Sequence, residues 1–222
     1  MTTAAPMTVR ISAGNNRVEV VAAAGQVFRL EGQATVEEVG DQVTISRPES
    51  KLRVSVPAGT NLVIGTTSGR IEIAGPLGHV AVVTESGKVE VESAESVDIR
   101  TRSSRVEVGK VAGVCRIRST LGKVEVGSCG DADIAGDSGQ IELQRVAGSV
   151  EAHSVSGRIE LSMAAANDIT AETVTGRIEV SLPEGIVAYQ PSQSELGTLR
   201  PPGCDCTVVA RSTTGKVVVT SR

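Results

Sequence analysis

Few residues in this chain could do chemistry, and they are scattered. Four cysteines and two histidines stand among 222 residues. The tightest cluster is Cys204-Asp205-Cys206. A Cys-x-Cys pair could take a soft metal or form a strained redox couple. No His or further Cys lies at ligand spacing from it, so Cys204 and Cys206 are weak metal candidates, and loop packing is the plainer reading. His79 and His153 fall on different sides of the repeating pattern described below and read as surface residues, not as a metal or catalytic pair. Cys115 and Cys129 occupy apolar positions and read as small buried hydrophobes.

Carboxylates are more regular. Glu72, Glu90, Glu107, Glu125, Glu142, Glu160 and Glu179 recur at one position of a repeat. General acid–base work needs two carboxylates whose environments push their pKa values apart. A series of equivalent glutamates does not supply that. No phosphate-binding loop, Ser-His-Asp order or dinucleotide fingerprint is present. The expectation is a protein that is not an enzyme and needs no cofactor.

These glutamates belong to a phrase that organises the chain. It reads Ser68-Gly69-Arg70-Ile71-Glu72-Ile73 at its clearest, and it returns at Gly87, Ser104, Gly122, Gly139, Gly157, Gly176 and Gly215. The steps are 18, 17, 18, 17, 18, 19 and 39 residues. A fixed period of this length with one strand-like phrase is a solenoid signature. Seven residues before each anchor stand Leu62, Val80, Val97, Cys115, Ala132, Val150, Ile169 and Val208. Five before stand Ile64, Val82, Ile99, Ile117, Ile134, Ala152, Ala171 and Ala210. Three before, the residue is Thr or Ser in all but one repeat, where it is Gly136. This is period-two alternation with apolar columns facing in. After the anchor the parity shifts by one: the second and fourth positions are Ile, Val or Leu, with Glu between them. Seven after it, Pro76, Ala94, Val111, Cys129, Val146 and Ala164 make another mostly apolar column.

A hairpin with a Ser-Gly turn competes with one coil of a parallel helix. Column identity favours the helix, because parallel in-register coils stack each position on its own kind. The fold expected is all-β, a single-chain parallel β-helix (β-solenoid) of about 17–19 residues per coil. Residues 1–60 are read as an N-terminal β cap, within which Asn16-Arg17-Val18-Glu19-Val20 is a worn copy of the phrase. Residues 61–222 are read as the β-helix, with a loop inserted at 181–207.

Arg70, Lys88, Arg105, Lys123, Gln140, Arg158 and Arg177 run two residues ahead of the glutamates, so basic and acidic columns can compensate. The net charge of −4 argues against nucleic-acid binding, and so does an aromatic content of one Tyr, one Phe and no Trp. No apolar run approaches a membrane span, so no membrane insertion is expected. The first residues lack a secretory pattern, which places the protein in the cytoplasm, with cell-envelope association as an alternative. The last coil is the exception to the outward charge pattern. Val218 replaces the outward Glu and Val209 is also outward. With Val217, Val219 and the loop residue Tyr189, they are the interface candidates for a protein partner or for self-association. The sequence leaves a small-molecule ligand undetermined.

The run Leu52–Val91, with its Val56-Pro57-Ala58-Gly59 entry and the repeated Ser-Gly-x-Ile/Val-x-Ile/Val phrase, resembles the DUF4097 family of bacterial β-strand-repeat proteins, often labelled as adhesin candidates. The resemblance covers roughly residues 50–220. It implies a right-handed β-helix and carries over no catalytic residue. The function expected is a non-enzymatic scaffold or interaction protein, self-associating through its C-terminal coil. The alternatives are a ligand- or glycan-binding adhesin-like module, or a metal or redox role at Cys204 and Cys206.

Overall fold

A computed structural model describes residues 7–48, 51–191 and 201–221. Part of the inserted loop, residues 192–200, lies outside the described residues, as do residues 1–6 of the expected cap, residues 49–50 and residue 222. Among the described residues every regular element is a strand. They form two compact units, Met1–Ala112 and Gly113–Arg222.

The first unit contains β1 (Thr8–Ala13), β2 (Val18–Ala23), β3 (Arg29–Glu31), β4 (Thr35–Val39), β5 (Gln42–Ser46), β6 (Leu52–Pro57), β7 (Asn61–Thr66) and β8 (Arg70–Val111). Its spatial order differs from its chain order. β1 lies between β5 and β7, parallel to both, with Val9 level with Val43 and Leu62, and Ile11 level with Ile45 and Ile64. β2 likewise lies between β6 and the start of β8, with Val18 level with Leu52 and Ile71. Residues 8–23 are therefore a coil in the repeat's own register. The chain leaves it, builds the neighbouring coil at 42–57, and returns on the other side at 61. Between the two visits, β3 pairs antiparallel with β6, and β4 pairs antiparallel with β5.

The second unit stacks β9 (Cys115–Ser128), β10 (Ala132–Val146), β11 (Val150–Met163), β12 (Ile169–Leu182) and β14 (Cys206–Ser221) in parallel. Each anchor glycine from Gly122 to Gly215 is paired with the next. β13 (Ala188–Tyr189) adds two residues on the far side of β14, opposite Cys206 and Thr207. The all-β parallel solenoid expected from the columns is the fold of the chain.

The core is aliphatic and layered. Leu62, Val80, Ile99, Ile117 and Ile134 are fully buried. At the second corner the spacing slips. Pro76 and Ala164 are exposed, and Leu77 and Met163 are buried in their place. The register shift between Leu143 and Val146 sets Met163 opposite Val146. A one-residue slip is enough to exchange inward and outward sides, and the larger side chain takes the interior.

The anchor glycines allow close approach of successive coils. A Cβ on Gly87, where φ is 116°, would collide with the Gly69 carbonyl oxygen directly beneath it. Backbone cannot move aside as a flexible side chain can. Gly87→Ala is expected to cost about 1–3 kcal/mol, read as a lower urea midpoint at an unchanged slope. Gly14→Ala, with open space around its Cβ, is expected to stay within about 0.5 kcal/mol.

Candidate functional site

Three outward features could carry a function: the charged columns, the polar entry column and the edges of the stack.

In the charged columns Arg70, Lys88 and Lys123 each reach glutamates on two coils. Arg70 contacts Glu72 at 2.5 Å and Glu90 at 2.7 Å; Lys88 contacts Glu90 at 2.6 Å and Glu107 at 2.9 Å. In the second unit Lys123 contacts Glu125 at 2.5 Å and Glu142 at 3.4 Å. Arg158 pairs with Glu160, and Arg177 with Glu179. The worn copy joins this network: Glu19 holds both Lys51 and Arg53 at 2.5 Å, and Arg17 reaches Glu72. The hydrogen bond from Lys88 pulls the Glu90 carboxyl below its ordinary range against the opposing effect of burial, with Arg70 adding to the pull. Those from Lys51 and Arg53 hold Glu19 at about 2. Asp133 is lowered by Arg118. A general acid needs the opposite shift. At Glu19 and Glu90 the pairing stabilises the carboxylate form, and the columns are built as ion-pair ladders.

The entry column was not legible as such in the sequence. Eight residues before an anchor, a short polar side chain accepts the backbone N–H of the next coil. Asn61 Oδ1 accepts from His79 N, Asp131 Oδ1 from Ser149 N, and Asp168 Oδ1 from Thr207 N, at 2.8–2.9 Å. His79 stands in this column, and its Nδ1 is 2.9 Å from Ser96 Oγ. His153 lies elsewhere, between Glu151 at 3.1 Å and Glu172 at 3.5 Å. The histidines are not brought together. The signal was Asn, Asp or Ser just before five of the eight apolar runs, at Asn61, Ser96, Asp131, Ser149 and Asp168, weaker than the glycine period beside it.

The Cys-Asp-Cys segment uses its aspartate in the same way. Val187 N donates to Asp205 Oδ2, and Asp205 N donates to the Val187 carbonyl, both at 2.8 Å. Cys206 is fully buried at the start of β14, and Cys204 is half-buried. Among the described residues, no group of three or more His, Cys, Asp or Glu could hold a metal ion. Cys115 and Cys129 are buried in the core. Burial pushes both thiols up, Cys129 to about 11.

The edges differ at the two places where they are described. β4 bounds the first unit, with Val36 and Glu38 opposite the core residues Ile45 and Val43. Opposed residues of an antiparallel pair share a face, so Glu38, exposed like the rest of β4, lies in register with the core column of Val43 at the rim. Inward charge on an edge strand blocks further pairing. In the second unit, β14 is covered by β13 only at Cys206 and Thr207. From Val208 to Ser221 no strand lies on its outer side among the described residues. Val208 is buried, but the core position Val217 is 37% exposed. Val218 and Val219 are half-buried, as are Val209 and, on β13, Tyr189. The structure thus places Val217 and Val219 in inward columns and Val209 and Val218 in outward ones, all on one edge.

Two outcomes follow. In the folded protein only Cys204 should react quickly with a thiol reagent at neutral pH, because the other three cysteines are buried; a second fast thiol would contradict the core placement. Glu19 carries the acid-sensitive pairing. A carboxyl lowered from 4.5 to about 2 contributes stability above its unfolded pKa and loses it as pH falls through the folded one. Glu19→Gln should therefore be less stable than wild type at neutral pH. The difference should shrink between pH 4.5 and 2, as read by acid-dependent urea midpoints.

No curated protein matches the chain significantly. Among solved structures, a candidate adhesin from Bacteroides fragilis shares the fold at 16% identity, with a TM-score of 0.50 over 96% of this chain and 91% of that one. A candidate cell-adhesion protein from Clostridium sporogenes aligns at 7% identity and a TM-score of 0.30, over 98% of this chain and 93% of that one. Among the described residues no helix is long and apolar enough to cross a membrane. The Toastrack DUF4097 family model matches residues 2–198, and with a match across most of its length the chain belongs to that family.

Proposed function

We propose that the protein is a non-enzymatic β-solenoid scaffold that works by protein–protein contact, first with a second copy of itself, through the free edge of β14. The observation that carries this reading is the contrast between edges. The rim of the first unit is closed by two antiparallel strands, with Glu38 in register with a core column, whereas among the described residues Val208–Ser221 has no strand on its outer side and no charge in its inward columns. An unguarded row of backbone donors and acceptors is a template for another strand. In this reading residues 1–60 act as the N-terminal cap, with β3 and β4 as its closing layer, and residues 61–222 carry the interaction surface.

The ion-pair ladders support the non-catalytic part. Their carboxylates are engaged by cations on their own and neighbouring coils, and the resolved shifts at Glu19 and Glu90 are downward. A second reading, an adhesin-like module that binds a glycan or another surface ligand at the cell envelope, draws on the name of the Bacteroides neighbour.

The test is the mass in solution. Light scattering across a concentration series should show association for the 222-residue chain. Val219→Glu places a charge in the inward column of the free edge, as Glu38 does at the other rim, and should leave a folded monomer. Association that survives Val219→Glu in a protein with unchanged circular dichroism would remove the β14 edge from the reading.

A further inference from the structure

Resting on that reading, we infer that the second copy docks by a two-fold axis, β14 against β14 in antiparallel register, and closes a dimer without growing a filament. Along β14 the residues level with buried positions of β12 are Val208, Ala210 and Ser212 before the corner, and Val217, Val219 and Ser221 after it. The corner shifts the alternation by one, and its midpoint lies between Thr214 and Gly215. A two-fold axis through that point sets Val219 opposite the partner's Ala210, Val217 opposite the partner's Ser212, and Ser221 opposite the partner's Val208. Every inward residue meets an inward residue. Sliding the register by one would set core side chains against outward ones.

Two further observations select the same point. A bent edge can lie along a copy of itself under a two-fold only if the axis passes through the bend, and the Thr214–Gly215 corner is that bend. The uncovered stretch Val208–Ser221 also has its midpoint there, and β13, which covers Cys206 and Thr207, falls outside the paired region. Self-complementarity of this kind is what an isologous interface requires.

Head-to-tail stacking is the competing arrangement, and the first unit's rim opposes it. There β4 would meet β14, and Glu38 would enter the column of Val208. That buries a carboxylate without a partner. Glu37 beside it does not rescue the register, because it would face the outward Val209. In the two-fold register no charge is placed inward. Outside, Arg211 faces the partner's Val218 and Lys216 faces the partner's Thr213, so no cation faces a cation. Arg211 Nη2 is buried without a hydrogen-bond partner among the described residues.

This geometry gives Val218→Glu an unexpected sign. The position is Glu in the preceding coils, so the fold tolerates it. In the two-fold dimer each new carboxylate faces an Arg211, twice by symmetry. Sedimentation equilibrium should show wild type as monomer and dimer with nothing larger. Val218→Glu should give a dissociation constant lower by about two- to thirtyfold, from two opposite-charge cross-strand pairs. A weaker dimer in Val218→Glu, or species that grow beyond dimer with concentration, would overturn the two-fold register while leaving association through β14 standing. Wild type that stays monomeric at every concentration would overturn that association itself, with residues 192–200 or a different partner left as the cover of the edge.

Discussion

Everything in this molecule follows from stacking backbone on backbone, in register, at the spacing of one parallel strand, about 4.8 Å. That spacing makes each position its own neighbour. Aliphatic on aliphatic then fills an interior with no need of aromatics, as Leu62 on Val80 does in the first unit and Ile117 on Ile134 in the second. The same rule permits no Cβ where coils touch most closely. The Gly69–Gly87 contact in the first unit and the Gly157–Gly176 contact in the second are backbone against backbone. Where Ser104 replaces the anchor glycine, its hydroxyl lies 2.6 Å from Thr101 Oγ and stays buried.

In-register stacking also sets a problem of charge. A column of glutamates a few ångströms apart repels itself. The remedy is a second column offset by two residues, in which Arg70, Lys88 and Lys123 are each shared between two carboxylates. Exposed pairs of this type contribute little individually. Their main effect is to keep the register soluble and unstrained along a face that would otherwise be all acid. The lowered carboxyls of Glu19 and Glu90 follow from that sharing, and they are the wrong direction for acid catalysis.

Much of this was legible in the sequence, because periodic packing writes itself into periodic residues. The inward columns, the Ser/Thr column and the compensating charges were all readable from alignment on Gly69. The departures were harder. Residues 8–23 and 42–57 are coils, but the chain visits them out of spatial order, and no local pattern encodes that order. The exchange of Pro76 for Leu77 and of Ala164 for Met163 depends on one-residue slips that only packing resolves. The Asn61, Asp131 and Asp168 side chains that catch the next coil's N–H sit beside the stronger glycine signal and were missed. Among the candidate site residues, the valines of the last coil could be singled out because they break the charge column. Which of them point inward could be settled only by pairing with β12.

Those breaks in the pattern matter most for function. A repeating stack has no intrinsic end, so its rims must be specified by residues that violate the repeat. Glu38 is one such violation, a charge in register with a core column, and it refuses a further strand. Val218 is the reverse, an apolar residue in a charge column, on an edge whose inward positions carry no charge. The two substitutions act oppositely on the same backbone chemistry. In the proposed dimer, an edge that admits strands and is self-complementary about its own bend would stop at two copies.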